Sequence, residues 1–266
     1  MHLQVVLPDE SPDVAPDRIL GLAREAEGLG YQTAWLPDHL LPPGEYGEVF
    51  GGVYEPLVTL GAIAAVTDRM RLGTSVLVLP MRSPFVVAKQ VATLERLAPG
   101  RVVLGIGAGW QEQEFESVGS RFAGRGARTD DAIRLLRHLF EVGHGPFEND
   151  QYGFQTGVFQ PVPTGPIPIM VGGMSDVALR RVARLGDAWQ AVGVTPAEFR
   201  ARVGTLRGQA ERPVVFGARI GWPELPADPA AELAEWRDAG ADELAIWFGK
   251  ADGFGDRMAA VMRSHS

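Results

Sequence analysis

Five histidines are spread through this 266-residue chain, and one stands beside a carboxylate where an apolar run stops. In "TAWLPDHLLPP" (33–43), Ala34, Trp35 and Leu36 call for an interior, yet Pro37, Asp38 and His39 follow at once. An imidazole ordinarily titrates near pH 6.5, so such a group can donate or accept a proton under physiological conditions, and an adjacent carboxylate can orient it. The same pair also suits an ordinary turn closed by Asp38.

Three other stretches carry residue types suited to chemistry. In "RLGTSVLVLP" (71–80), Gly73, Thr74 and Ser75 stand where a core strand would hold branched apolar residues. Glycine there predicts a bulge or a close approach of the backbone to a ligand, or simply room for a large neighbour. "VGGMSDVALRR" (171–181) ends a strand in Gly172 and Gly173 and enters a helix through Met174 and Ser175. Bare amides there, with the helix dipole, suit a phosphate, while Ser175 or Asp176 equally suits a helix cap. "GIGAGW" (105–110) spaces its glycines unlike a dinucleotide fingerprint, so it reads as a tight strand-to-loop turn through Ala108 and Gly109 to Trp110.

Composition narrows the chemistry. The formal charge of −8 argues against a nucleic-acid groove. With no cysteine, thiolate metal sites, disulfides and a cysteine nucleophile are excluded. A Schiff-base enzyme needs a lysine on an inward strand position, and neither Lys89, on a predicted helix, nor Lys250 fits. His2, His138, His144 and His265 lie away from the expected site, so no metal is expected. Without a leader or a long apolar span, the chain reads as soluble and cytoplasmic, with a small molecule as partner and no membrane.

These residues need strands to place them together. Eight apolar runs are predicted as strands, at 3–8, 33–37, 71–79, 101–107, 167–173, 188–193, 213–220 and 243–249, with helical segments after each. Eight strand–helix units in series predict one (β/α)8 TIM-barrel domain over 1–266, with an open doubly wound sheet as the alternative. Two long segments break the rhythm. The stretch after the second strand suits a lid over 40–54, whose Tyr46, Phe50 and Tyr54, with Trp110, could wall an apolar substrate pocket. The stretch over 144–166 is read as an excursion, a hairpin on or near the opposite face. In a barrel, the C-terminal strand ends share one mouth, so Asp38 and His39 end a strand where they can reach a ligand.

Taken in order, "WLPDH", "LGTSVLVLPMRSPFVVAKQVATLERLAPGRVVLGIGAGWQEQEF", "RGARTDDAIRLLRHLF" and "PIMVGGMSDVALRRVARLGDAW" resemble the luciferase-like monooxygenase superfamily. Within it they are most similar to the F420-dependent oxidoreductases, over about residues 15–192. The resemblance implies a barrel holding the deazaflavin coenzyme F420, or FMN in sister branches, at its C-terminal mouth. It places Asp38 and His39 beside the ring and a non-proline cis peptide at Ser75-Val76 behind it. Ala108 and Gly109 would meet the ring or its side chain, and Gly172, Gly173, Met174 and Ser175 the phosphate. Arg82, Arg121, Arg125 and Arg128 are candidates to meet the polyglutamate tail, and a homodimer is implied by the family alone.

The chain departs from the superfamily's sugar-phosphate dehydrogenases at two points. Trp110 replaces their catalytic glutamate, and only Lys250 lies near the predicted mouth to hold a substrate phosphate. The expected function is hydride transfer to, or oxygenation of, a small organic substrate, with His39 and Asp38 handling protons. Its rivals are an FMNH2-dependent monooxygenase served by a separate reductase, and a barrel that binds such a cofactor without turnover.

Overall fold

The computed structural model describes residues 1–8 and 14–265. Eleven strands are present among them: β1 (His2–Val6), β2 (Thr33–Leu36), β3 (Arg71–Thr74), β4 (Leu77–Val78), β5 (Val102–Gly107), β6 (Phe147–Glu148), β7 (Gly153–Phe154), β8 (Ile169–Gly172), β9 (Ala188–Val192), β10 (Val215–Gly221) and β11 (Glu243–Trp247). All but β6 and β7 form one parallel sheet, ordered β3-β2-β1-β11-β10-β9-β8-β5-β4, and the pairing of β3 with β5 closes it. Counting β3 and β4 as one interrupted strand gives a closed eight-stranded barrel, so the open-sheet alternative falls. Among the described residues, no helix is long and apolar enough to cross a membrane.

Among the described residues, ten α-helices accompany the strands: α1 (Pro16–Leu29), α2 (Gly44–Phe50), α3 (Pro56–Ala64), α4 (Pro84–Leu97), α5 (Glu112–Ser117), α6 (Arg125–Glu141), α7 (Asp176–Leu185), α8 (Pro196–Gln209), α9 (Pro229–Asp238) and α10 (Phe254–His265). Their ends follow local chemistry. Pro16 opens α1 and Gly30, at φ 98°, closes it in the left-handed region. Thr195 and Glu198 form a reciprocal capping box on α8. Apolar side chains split between a barrel interior, with Val6, Trp35, Val103, Met170 and Ala245, and a larger layer between barrel and helices.

The third barrel strand is irregular where its sequence is unusual. Gly73 pairs with Val103 and Leu77 with Ile106, so this strand spends one more residue than its neighbour over that span. That is a bulge, and it contains the cis peptide Ser75-Val76. Gly73 itself makes room for packing. A Cβ there would fall 2.3 Å from the Trp35 ring, whose Nε1 donates to Gln4 Oε1 at 2.7 Å.

The 144–166 excursion does contain a hairpin, β6 against β7, but its position differs from expectation. Phe147 and Phe154 pack on His138 late in α6, while Tyr152 and Phe154 meet Phe85 in the first turn of α4. Asn149 Nδ2 donates to the Asp131 carbonyl, nearly two turns into α6. Both α4 and α6 start at the mouth side of the barrel, so the hairpin climbs its outside and is not confined to the opposite face.

Glu95 fastens the end of this excursion. Its carboxylate accepts from Thr164 N at 2.8 Å, Thr164 Oγ1 at 2.6 Å and Gly100 N at 3.2 Å. Burial opposes its charge, but these donors outweigh burial and hold its pKa below the ordinary carboxylate value. A group with a depressed folded pKa stabilises at neutral pH and loses that contribution as pH falls through its folded pKa. Glu95→Gln is therefore expected to cost about 1–2 kcal/mol near pH 7. The difference from wild type should shrink steadily below about pH 4. Thermal unfolding across pH measures it, and a difference that persists in acid would contradict the assignment.

Candidate functional site

The C-terminal strand ends open into a cavity of about 860 Å³, within the usual range for small-molecule sites. Asp38 and His39 reach it from the end of β2, and Ser75, Val76 and Val78 from the interrupted third strand. Ala108, Gly109 and Trp110 follow β5, while Gly172, Gly173, Met174 and Ser175 end β8 and begin α7. Phe50, at the end of α2, also lines the cavity. Tyr46 does not, but packs edge-on against Trp110 at 4.8 Å. Tyr54 is not a pocket residue either, because its hydroxyl donates to the Val14 carbonyl at 2.8 Å and ties the strap to the start of α1.

Adjacent in sequence, Asp38 and His39 take separate partners. The Asp38 side chain is fully buried, and its Oδ1 meets Arg82 Nη2 at 2.5 Å. Its Oδ2 accepts from Val78 N at 2.9 Å and Arg82 Nε at 3.3 Å. Asp38 therefore joins the end of β2 to β4 and does not orient His39, contrary to the expected pairing. His39 turns Nδ1 to Glu114 Oε2 at 3.1 Å and stacks on Phe50 at a centroid distance of 4.6 Å. Trp110 meets the imidazole edge-on.

Val76 forms the centre of the floor. Cβ atoms added at Gly107 and Gly172 would lie 2.6 and 2.7 Å from its two methyl groups, so the side chain fits only between bare backbones. Ser75 is held from behind, its Oγ donating to Gln190 Oε1 at 2.5 Å and its carbonyl accepting from Arg219 Nη1 at 2.7 Å. Neither Gln190 nor Arg219 was singled out from sequence. The available signal was a polar side chain inside each of two predicted core strands, "AWQAVG" and "PVVFGARI".

Gly173, at φ 115°, turns the chain from β8 into α7, and Ser175 Oγ accepts from Ala178 N at 3.2 Å. The cap reading of Ser175 thus holds, and that bond leaves its hydroxyl hydrogen available to an anion. The start of α6 faces the same cavity through Gly124, Arg125 and Gly126. Arg125 donates to the Gly109 carbonyl and lies over the Phe122 ring, whereas Arg128 donates to the carbonyls of Arg121 and Ala123. Arg82 is committed to Asp38 and Glu55. Arg121, Arg128 and Lys250 do not line the cavity. Among the described residues, no cluster of histidine and carboxylate ligands suits a metal ion.

A floor of valine and glycine, a turn with a free hydroxyl hydrogen and an imidazole share this cavity and fit a planar redox cofactor carrying a phosphate. The luciferase-like monooxygenase family profile matches residues 1–221, and the chain belongs to that family of oxidoreductases. An uncharacterized protein of Mycobacterium tuberculosis is 37% identical over 215 residues, covering 75% of this chain and 74% of its own. An F420-dependent glucose-6-phosphate dehydrogenase of Kineococcus radiotolerans is 36% identical over 179 residues, 66% of this chain and 52% of that enzyme. A solved F420-dependent secondary alcohol dehydrogenase, in complex with an F420-acetone adduct, superposes with a TM-score of 0.83. That match covers 100% of this chain and 99% of the other at 17% identity, a likeness of fold.

Proposed function

We propose that this protein binds coenzyme F420 at the barrel mouth and transfers hydride between it and a small organic substrate. The observation that carries the proposal is the Val76 floor between Gly107 and Gly172, in one cavity with the Gly172–Ser175 turn and His39. The similarity to an F420-dependent dehydrogenase supports the deazaflavin over FMN. When bound, the deazaflavin supplies two-electron hydride chemistry. Gly172, Gly173, Met174 and Ser175 would hold its phosphate, and Ser75, Val76, Ala108 and Gly109 would meet its ring. Asp38 keeps the third strand in register with the end of β2. His39 moves the proton that accompanies the hydride, and Trp110 and Phe50 exclude water from the substrate side.

Phosphosugars fit this site poorly. The indole of Trp110, which is 54% exposed, cannot accept a substrate proton, and although Arg125, Arg181 and Arg219 line the cavity, each already donates to a backbone carbonyl. An apolar, uncharged substrate suits the Trp110 and Phe50 wall better. Parallel titrations with F420 and FMN, followed by tryptophan fluorescence, test the cofactor. F420 is expected to bind more tightly than FMN, and Ser175→Ala to weaken F420 by about tenfold through one lost bond to a charged group. A preference for FMN would move the protein to the flavin monooxygenases that work with a separate reductase. Binding of neither would remove the cofactor reading altogether.

A further inference from the structure

Two buried carboxylates reach the mouth, and they take different partners. Asp38 faces the Arg82 guanidinium, whereas Glu114 forms no salt bridge with lysine or arginine among the described residues. Its side chain is only 3% exposed. Oε1 accepts from Leu40 N at 2.7 Å and Leu41 N at 3.0 Å, which leaves Oε2 to face His39 Nδ1 at 3.1 Å. An ionised carboxylate can only accept, so the hydrogen between them belongs to Nδ1. A neutral imidazole protonated there carries its lone pair on Nε2. Nε2 has no hydrogen-bond partner among the described residues and is not fully buried, and His39 lines the cavity.

We propose that Glu114, supplied by α5, is the positioning residue that fixes His39 as the Nδ1-protonated tautomer and presents Nε2 as a proton acceptor. The two backbone amides lock the carboxylate, and the stacked Phe50 ring holds the plane of the imidazole. The inference rests on the reading of His39 as the group that moves the proton, but its test does not depend on the cofactor.

The test is Glu114→Gln, observed by long-range 15N–1H NMR of the full chain with 15N-labelled histidine, at a pH where imidazoles are neutral. A His39→Ala sample assigns the signal. In wild type, Nδ1 should be the protonated nitrogen of His39. In the variant, the amide oxygen must still accept from Leu40 and Leu41, so the NH2 group faces Nδ1 and forces it to accept. The proton then moves to Nε2, and the acceptor toward the cavity is lost. F420 affinity and the thermal midpoint should stay close to wild type, while turnover falls by about 10²–10⁴-fold. Wild-type His39 protonated on Nε2, or an unchanged tautomer in folded Glu114→Gln, would overturn the inference. Should the variant not fold, the wild-type spectrum decides alone. A failure of F420 to bind wild type would instead count against the proposed function.

Discussion

Asp38→Ala is expected to destabilise the protein by about 3–5 kcal/mol, the usual cost of removing one partner from a buried ion pair. For a chain of this size that lowers the thermal midpoint by roughly 10 °C. The Arg82 side chain is 13% exposed and, among the described residues, would keep only Glu55 as a counter-charge. Burial opposes the Arg82 charge, yet Asp38 and Glu55 outweigh it and hold its pKa above the ordinary value. Removing Asp38 also orphans the Val78 amide, which lies just beyond the bulge. Asp38→Asn should cost less, because its amide oxygen can still accept from that amide. Denaturant titration reads both variants, and a loss below about 1 kcal/mol for alanine would mean that the pair behaves like an exposed one.

The second large effect separates chemistry from binding. His39→Ala is expected to reduce kcat by about 10²–10⁴-fold, the range for a positioned acid or base. The F420 dissociation constant should change by less than about tenfold, equivalent to 1.4 kcal/mol. The Gly172–Ser175 turn belongs to another strand, and Val76 keeps its place between Gly107 and Gly172 without help from the imidazole. Stopped-flow hydride transfer beside equilibrium titration measures the two quantities. Turnover close to wild type would remove His39 from the proton path, and a matching collapse of binding would make it a binding group.

Most of the barrel could be read from the chain because each strand is a short apolar run bounded by turn residues and followed by a segment of helical period. The two short helices could not. Gly44–Phe50 contains two glycines, and Glu112–Ser117 is mostly polar, so neither presents an apolar stripe. Residues at the strand ends were legible because the fold gives those positions a shared destination. Their partners were not: Arg82 lies 44 residues from Asp38, and Glu114 lies 75 from His39. Sequence adjacency favoured pairing Asp38 with His39, whereas the arginine draws the aspartate away and α5 delivers the glutamate. Tyr54 was misplaced for a related reason, since its type suits a pocket wall and only the fold brings Val14 to its hydroxyl.

The strap that carries Tyr46 and Phe50 is pinned at both roots. Glu114 holds the amides of Leu40 and Leu41 at one end, while Tyr54 reaches the Val14 carbonyl and Glu55 binds Arg82 at the other. The intervening residues form a replaceable insert whose two ends are set by the barrel rather than by the insert itself. Loop-closure entropy rises only slowly with length, so such an insert can be shortened, extended or rewritten with little effect on its anchors. The strap touches the site at Phe50, which stacks on His39, so the freedom to vary it ends at that contact.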